Sequence, residues 1–203
     1  MRERVQRVAR EAYREAILEA AERVFVRLGY RQAKMSDLAH EVGVSTGTLY
    51  NYFDSKEAVF SSLVERARGE FLAALRGAAG EPLPLERLRA MARAVLGFIE
   101  RRGALVSVFT ELGAVTESDI RRVCGPDAEE GYAEYLKLLS DSVRAAMRKR
   151  QIRSDLSVDL LVAALAGSLN GTVYGWMHGG RDGALASRAD AVLSLFLEGA
   201  AAR

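Results

Sequence analysis

One cysteine in 203 residues, Cys124, leaves no internal disulfide and no multi-cysteine metal site. That suits a reducing compartment. Three prolines, Pro82, Pro84 and Pro126, mark only two places where the chain must break. Runs with strand periodicity, internal repeats and low-complexity tracts are all missing, so the expected fold is all-α. No uninterrupted stretch of about 18 apolar residues is found, and nothing is expected to span a membrane. The segment Met1–Arg7 is charged and lacks the apolar core of a signal peptide, so the expected location is cytoplasmic. His40 and His178 are isolated, and Cys124 has no base near it in sequence. With no phosphate-cradling glycine loop and no metal-spaced cluster, no catalytic residue, cofactor or metal is expected. A helical enzyme whose groups converge from distant positions stays open. The net charge of +2 is too mild to demand nucleic acid by itself. Hydrophobic residues make up 49% of the chain, enough for a packed core.

The informative stretch is Ser36–Phe53, SDLAHEVGVSTGTLYNYF. It reads as a helix over about 36–42, a turn at Gly43, and a second helix over about 46–52. Ala39 is small enough for close approach of the two helices. Gly43 sits where a left-handed residue turns the chain. Leu49 points back into the pair, and Ser45 can cap the second helix. This spacing suits a helix-turn-helix. From Val42 to Phe53 no residue is charged. Thr46, Gly47, Thr48, Tyr50, Asn51 and Tyr52 thus form a neutral, hydroxyl-bearing outer face. Such a face suits a DNA major groove. A tight helical corner packed on its own domain is the alternative.

The run VGVSTGTLYNYFDSKE resembles the signature of the tetracycline-repressor (TetR) family of bacterial transcription regulators, with matching motif order and spacing over about Ile17–Phe60. The resemblance implies an N-terminal three-helix DNA-binding domain, placed at 1–54, and a larger ligand-binding and dimerising helical bundle, placed at 55–203. It also implies a phosphate contact for Lys56 at the start of the fourth helix. The expected DNA-binding set is Lys34, Met35, Ser45, Thr46, Gly47, Thr48, Tyr50, Asn51, Tyr52 and Lys56. Thr46, Thr48 and Tyr50 are the expected base or phosphate contacts. The chain departs from the family at Lys34, where a capping Thr or Ser is common. Either that cap is lost or Ser36 takes it over.

About nine helices are expected in all. The first covers about 4–28 and ends at Gly29. Arg2, Arg4, Arg7 and Arg10 at its start could form an arm reaching phosphates, or a solvated, frayed end. Asp54-Ser55-Lys56-Glu57 reads as a capping box, with Asp54 as cap, opening the fourth helix. Gly80, Pro82 and Pro84 end it. A fifth helix follows over 85–100, interrupted by Arg101-Arg102-Gly103 before a short apolar helix over 104–112. The seventh starts at Pro126, the eighth covers about 158–177, and the ninth about 185–198.

Ala163, Gly167, Gly171 and Gly175 fall four apart on the eighth helix. Each interior glycine costs about 1 kcal/mol in a helix, and close contact with another helix would offset that. A dimer face made of Ala163, Gly167, Gly171, Val192 and Phe196 is expected, with packing inside one subunit as the alternative. Phe98, Val106, Phe109, Tyr135, Met147, Asn170, Tyr174 and Met177 could line a cavity for a hydrophobic small molecule, or be ordinary core. Glu111 could meet a cationic ligand, or simply point to water. Arg101, Arg102, Arg121 and Arg122 could meet a carboxylate or phosphate, as in an acyl-coenzyme A or a fatty acid, or be ordinary paired surface arginines. The expected protein is a dimeric regulator, a repressor that binds a palindromic operator and is released by its ligand. A helical carrier or sequestering protein whose corner motif binds a protein partner is the competing expectation.

Overall fold

The computed structural model describes residues 1–111, 126–180 and 182–200, with side chains at 2, 3, 104, 107, 109–111, 126–130 and 200 outside the described set. Among the described residues there are eight α-helices and no strand: α1 (Arg2–Leu28), α2 (Met35–Val42), α3 (Thr46–Tyr50), α4 (Lys56–Ala79), α5 (Pro84–Glu111), α6 (Pro126–Arg148), α7 (Val158–His178) and α8 (Ala189–Ala200). A 3-10 turn at Ala186–Arg188 precedes α8.

The chain forms two compact units. One contains Met1–Ala67 with Ala104–Ala128, the other Arg68–Gly103 with Glu129–Arg203. The expected boundary after residue 54 lies at the start of α4, whereas the units divide inside α4 and α5. Both of those helices run unbroken through the division.

In the first unit the apolar stripe of α1 is spaced three and four apart and buries Ile17, Ala20, Ala21, Val24 and Phe25. Leu38 and Ala39 of α2, Leu49 of α3, and Val59, Phe60 and Leu63 of α4 complete this core. Phe25, Tyr30 and Phe60 form an aromatic trio with centroids 4.8–6.1 Å apart. At the rim, Glu41 of α2 accepts from Arg23 and Arg27 of α1 at 3.0 Å each, and Arg66 of α4 donates to Glu15 and Glu22 of α1 at 3.1 and 3.0 Å. The exposed pairs add little alone, ~0–1 kcal/mol, and Arg66–Glu22 is half-buried; together they fix how the helices sit around the core.

The second unit is a helical bundle. Leu75 of α4, Leu88, Met91 and Leu96 of α5, Leu139 and Val143 of α6, Leu165 and Leu169 of α7, and Leu193 of α8 are fully or almost fully buried in one cluster. The Gly80–Pro84 break lies where expected, and Pro84 starts α5, where its missing N–H costs nothing. One expectation needs correcting. Arg101-Arg102-Gly103 does not interrupt α5, which continues to Glu111. Charged residues do not stop a helix, a single glycine costs only ~1 kcal/mol, and Arg102 is held by Glu70 of α4 at 2.6–3.1 Å. Among the described residues α7 is the one helix long and apolar enough, by length and composition alone, to cross a membrane. Its buried stripe of Leu161, Leu165, Leu169 and Trp176 is also what a bundle core helix shows.

Candidate nucleic-acid interface

Gly43 ends α2 at φ +81°, ψ 32°, with its N–H on the Ala39 and His40 carbonyls and the Val44 N–H on Ala39 at 2.9 Å. A side chain at that φ would be strained. At the start of α2, Lys34 is exposed and occupies the cap position with no side-chain cap bond. The Asp37 carboxylate accepts the Lys34 backbone N–H at 2.8 Å instead, so neither Lys34 nor Ser36 supplies the missing cap.

Helix α3 is five residues long. A helix this short does not hold itself together in water. Three local devices hold it. Ser45 Oγ accepts the Thr48 N–H at 3.0 Å and pairs with Thr48 Oγ1 at 2.8 Å, which closes the N-terminus as expected. Leu49 is fully buried beneath it. At the other end, Arg10 donates to the Asn51 carbonyl and Arg14 to the Tyr52 carbonyl, each at 3.4 Å. Arg14 also donates to Ser62 Oγ at 2.7 Å and lies over the Phe53 ring. Tyr52 stacks on Tyr13, with centroids 5.3 Å apart and planes 23° apart.

What remains outward is Gly47, Tyr50 and Asn51, all exposed, with Thr46, Thr48 and Tyr52 half-buried. Tyr50 keeps 49% of its surface open to solvent although it is aromatic. Two members of the expected set are placed elsewhere. Met35 is buried in the core of the first unit, because α2 turns its first residue inward beside Leu38 and Ala39. Lys56 spends its ammonium on three carbonyls, those of Tyr30 at 2.8 Å, Ala33 at 2.9 Å and Arg31 at 3.4 Å, and lies 4.6 Å from the Tyr30 ring centre. The cap of α4 is Ser55, whose Oγ accepts the Ala58 N–H at 3.1 Å, and Asp54 is exposed. The one-residue shift puts Glu57 second in the helix. Its carboxyl is held below the usual range chiefly by a hydrogen bond from its own backbone N–H, and it accepts from Tyr30 Oη at 3.4 Å. Burial first, then the Glu57 charge, pushes the Tyr30 phenol up to about 12.

Sequence reading missed the bracing role of Arg10 and Arg14. Their spacing of four on α1, flanking Tyr13, was the available signal. Nothing local says which carbonyls that face will meet.

The family model described as "Bacterial regulatory proteins, tetR family" matches residues 17–63, which span α1 to α4. The HTH-type transcriptional activator FasR of Mycolicibacterium smegmatis is 32% identical over 148 residues, covering 72% of this chain and 68% of that protein. The chain belongs to the tetR family of regulatory proteins. The fatty acid metabolism regulator protein of Bacillus subtilis is 26% identical over 145 residues, covering 70% of this chain and 72% of that one. Among solved structures, the fatty acid degradation regulator FadR from Bacillus halodurans superposes with a TM-score of 0.76 at 26% identity, covering 94% of this chain and 97% of that one. Like other members of the tetR family, this is a DNA-binding transcriptional regulator with a helix-turn-helix.

In this tetR-family chain the expected effector residues separate. Phe98 and Tyr135 are buried in the second unit and share Phe71 as a neighbour, with centroids 5.1 and 5.9 Å away. Met147 and Met177 pack on the same core. Asn170 and Tyr174 do not join them. Both are exposed, because α7 buries the face of Leu165 and Leu169 and turns these two to solvent. Val106 is half-buried in the first unit, and the Phe109 side chain lies outside the described residues. So do the side chains of Glu111, Arg121, Arg122 and Cys124.

The expected dimer set also divides. Ala163, Gly167 and Gly171 are exposed, and a Cβ added at Gly167, Gly171 or Gly175 would meet no atom within 4 Å. Packing inside the subunit is therefore not what these glycines serve. Val192 and Phe196 are buried in the chain's own core, since α8 turns Ala189, Val192, Leu193 and Phe196 inward at spacings of three and four. The outward apolar residue of α8 is Leu195, 72% exposed, and those of α7 include Leu160 and Tyr174.

Proposed function

We propose that this protein is an effector-responsive repressor that binds a palindromic operator as a homodimer. The observation that carries the reading is the neutral face of Thr46, Gly47, Thr48 and Tyr50, presented outward on a helix braced at both ends. Hydroxyls that donate and accept, a phenol, and a glycine allowing close approach match base edges and phosphates in a major groove. Lys34 and Asn51 add exposed phosphate donors at the margins. One such unit reads few base pairs, so a two-fold copy is needed for a selective site. The exposed small-residue face of α7, with Leu160, Tyr174 and Leu195, is where the second copy packs. Small residues there let two helices approach closely, and that contact offsets the helical cost of the glycines.

The effector is a hydrophobic small molecule that enters the bundle near Phe71, Phe98 and Tyr135. The names of two relatives, regulators of fatty acid metabolism and degradation, support a long apolar ligand. Helix α4, capped by Ser55, carries Ser62, the acceptor for Arg14, towards one end and Phe71 towards the other. Ligand pressing on Phe71 would shift α4, alter the spacing of the paired α3 helices, and lower operator affinity. Selection of bound fragments from the source genome tests the core reading. The expected result is enrichment of an inverted repeat upstream of a gene that is derepressed when the protein is deleted. No enrichment at low salt would remove DNA reading, and lowered expression after deletion would replace repression by activation.

A further inference from the structure

Two buried side-chain polar atoms in the second unit invite comparison. Ser142 is 1% exposed, and its hydroxyl donates to the Leu138 carbonyl at 2.8 Å. Tyr135 is 3% exposed, and its hydroxyl has no hydrogen-bond partner among the described residues. A serine can reach the carbonyl one helical turn back, whereas a tyrosine hydroxyl lies too far from its own helix and needs a partner elsewhere. The rings around it are Phe71, 5.9 Å away and nearly edge-on, and Tyr132, also 5.9 Å away. Phe98 backs Phe71 at 5.1 Å. A phenylalanine at 135 would fill this space without burying an unpaired O–H. A buried water would need at least two polar partners to be stable there. A mostly apolar site with one unpaired donor is instead the pattern of a small-molecule pocket.

We infer that the Tyr135 hydroxyl is the buried polar anchor for the effector, donating to a carbonyl oxygen on an otherwise long apolar ligand. The inference rests on the effector reading above and sharpens it, from a hydrophobic molecule to one carrying a hydrogen-bond acceptor within the bundle. Burial, with a smaller contribution from Tyr132, raises the phenol's pKa, so it keeps its proton and acts as a donor. Without ligand the hydroxyl is a cost. With ligand it separates a carbonyl compound from its hydrocarbon counterpart.

The test uses the full chain and two measurements. The first needs no ligand. Tyr135→Phe removes an unpaired buried group, so the melting temperature of the ligand-free protein should rise by about 2–4 °C. A fall would mean the hydroxyl already has a partner, and would overturn the inference. The second compares stearoyl-coenzyme A with S-octadecyl-coenzyme A, the thioether that lacks only the carbonyl oxygen. The wild-type protein should bind the thioester about ten-fold more tightly, and Tyr135→Phe should bind the two alike. Equal binding of the pair by the wild type, or binding of neither, overturns the carbonyl assignment without relying on any variant. Binding of the selected operator by the same samples separates the outcomes. If operator binding fails throughout, the regulator reading falls. If it persists while the thioester and thioether behave alike, only this inference falls.

Discussion

Arg14 lays its guanidinium 4.3 Å from the centre of the Phe53 ring while donating to the Tyr52 carbonyl and to Ser62 Oγ. One cation thereby covers the end of the helix-turn-helix, satisfies a carbonyl beyond α3, and ties both to α4. Arg14→Ala should lower operator affinity about five- to ten-fold through loss of these contacts. The slope of log affinity against log salt should stay unchanged, because no phosphate contact is removed. Titrations at several salt concentrations separate that result from a direct phosphate role, which would flatten the slope.

Tyr50 and Leu49 are adjacent and should respond oppositely. Tyr50 is half exposed, so Tyr50→Ala should leave stability within about 0.5 kcal/mol. It should cost operator binding at least about ten-fold and relax preference at one base position. Leu49 is fully buried, and Leu49→Ala should cost about 2–5 kcal/mol of folding. Thermal melts beside binding isotherms read both effects.

Lys56 holds the carbonyls of the 30–33 turn, so its expected action is on the fold. Lys56→Met should destabilise the protein by about 1–3 kcal/mol, because the carbonyls lose a charged donor. The salt slope should again be unchanged. A slope shallower by about 0.9 would restore the phosphate role implied by family resemblance.

Acid and alkali should strain different contacts. Hydrogen bonds from Arg23 and Arg27 lower the Glu41 carboxyl's pKa, and the backbone bond lowers that of Glu57. A lowered folded pKa gives stability that is present above the ordinary carboxylate value of about 4.3 and lost as pH falls below it. Tyr30 has a raised pKa, so its contribution is complete below pH 10 and is lost as pH rises towards about 12. Melting temperature against pH should therefore fall on both sides. Glu41→Gln should weaken the acid dependence and Tyr30→Phe the alkaline one, and an unchanged profile in either variant would contradict the assignment.

Gly171 faces open space within the chain, so Gly171→Glu should fold normally. Placed in a two-fold interface, the same charge would be desolvated and face its copy. Sedimentation should show a monomer that retains weak half-site binding and loses the preference for a full palindrome. A variant that stays dimeric would move the interface elsewhere.

Local chemistry was enough to read much of this protein. The helix-turn-helix was legible because Gly43, Ser45 and Leu49 act within a few residues of themselves: a left-handed turn, a cap and a buried contact. The break at Gly80–Pro84 was legible for the same reason. Long-range packing decided the rest. The face of α7 that turns inward, and hence the exposure of Asn170 and Tyr174, depends on the neighbours of Leu165 and Leu169. Val192 and Phe196 were assigned to a partner because an apolar stripe does not say which chain will cover it. Lys56 and Arg14 are both cations near the recognition helix, and their donors are claimed by carbonyls that only the folded chain brings within reach. The unpaired hydroxyl of Tyr135 had no counterpart in the residue order, since a missing partner can be recognised only when every surrounding group has its place.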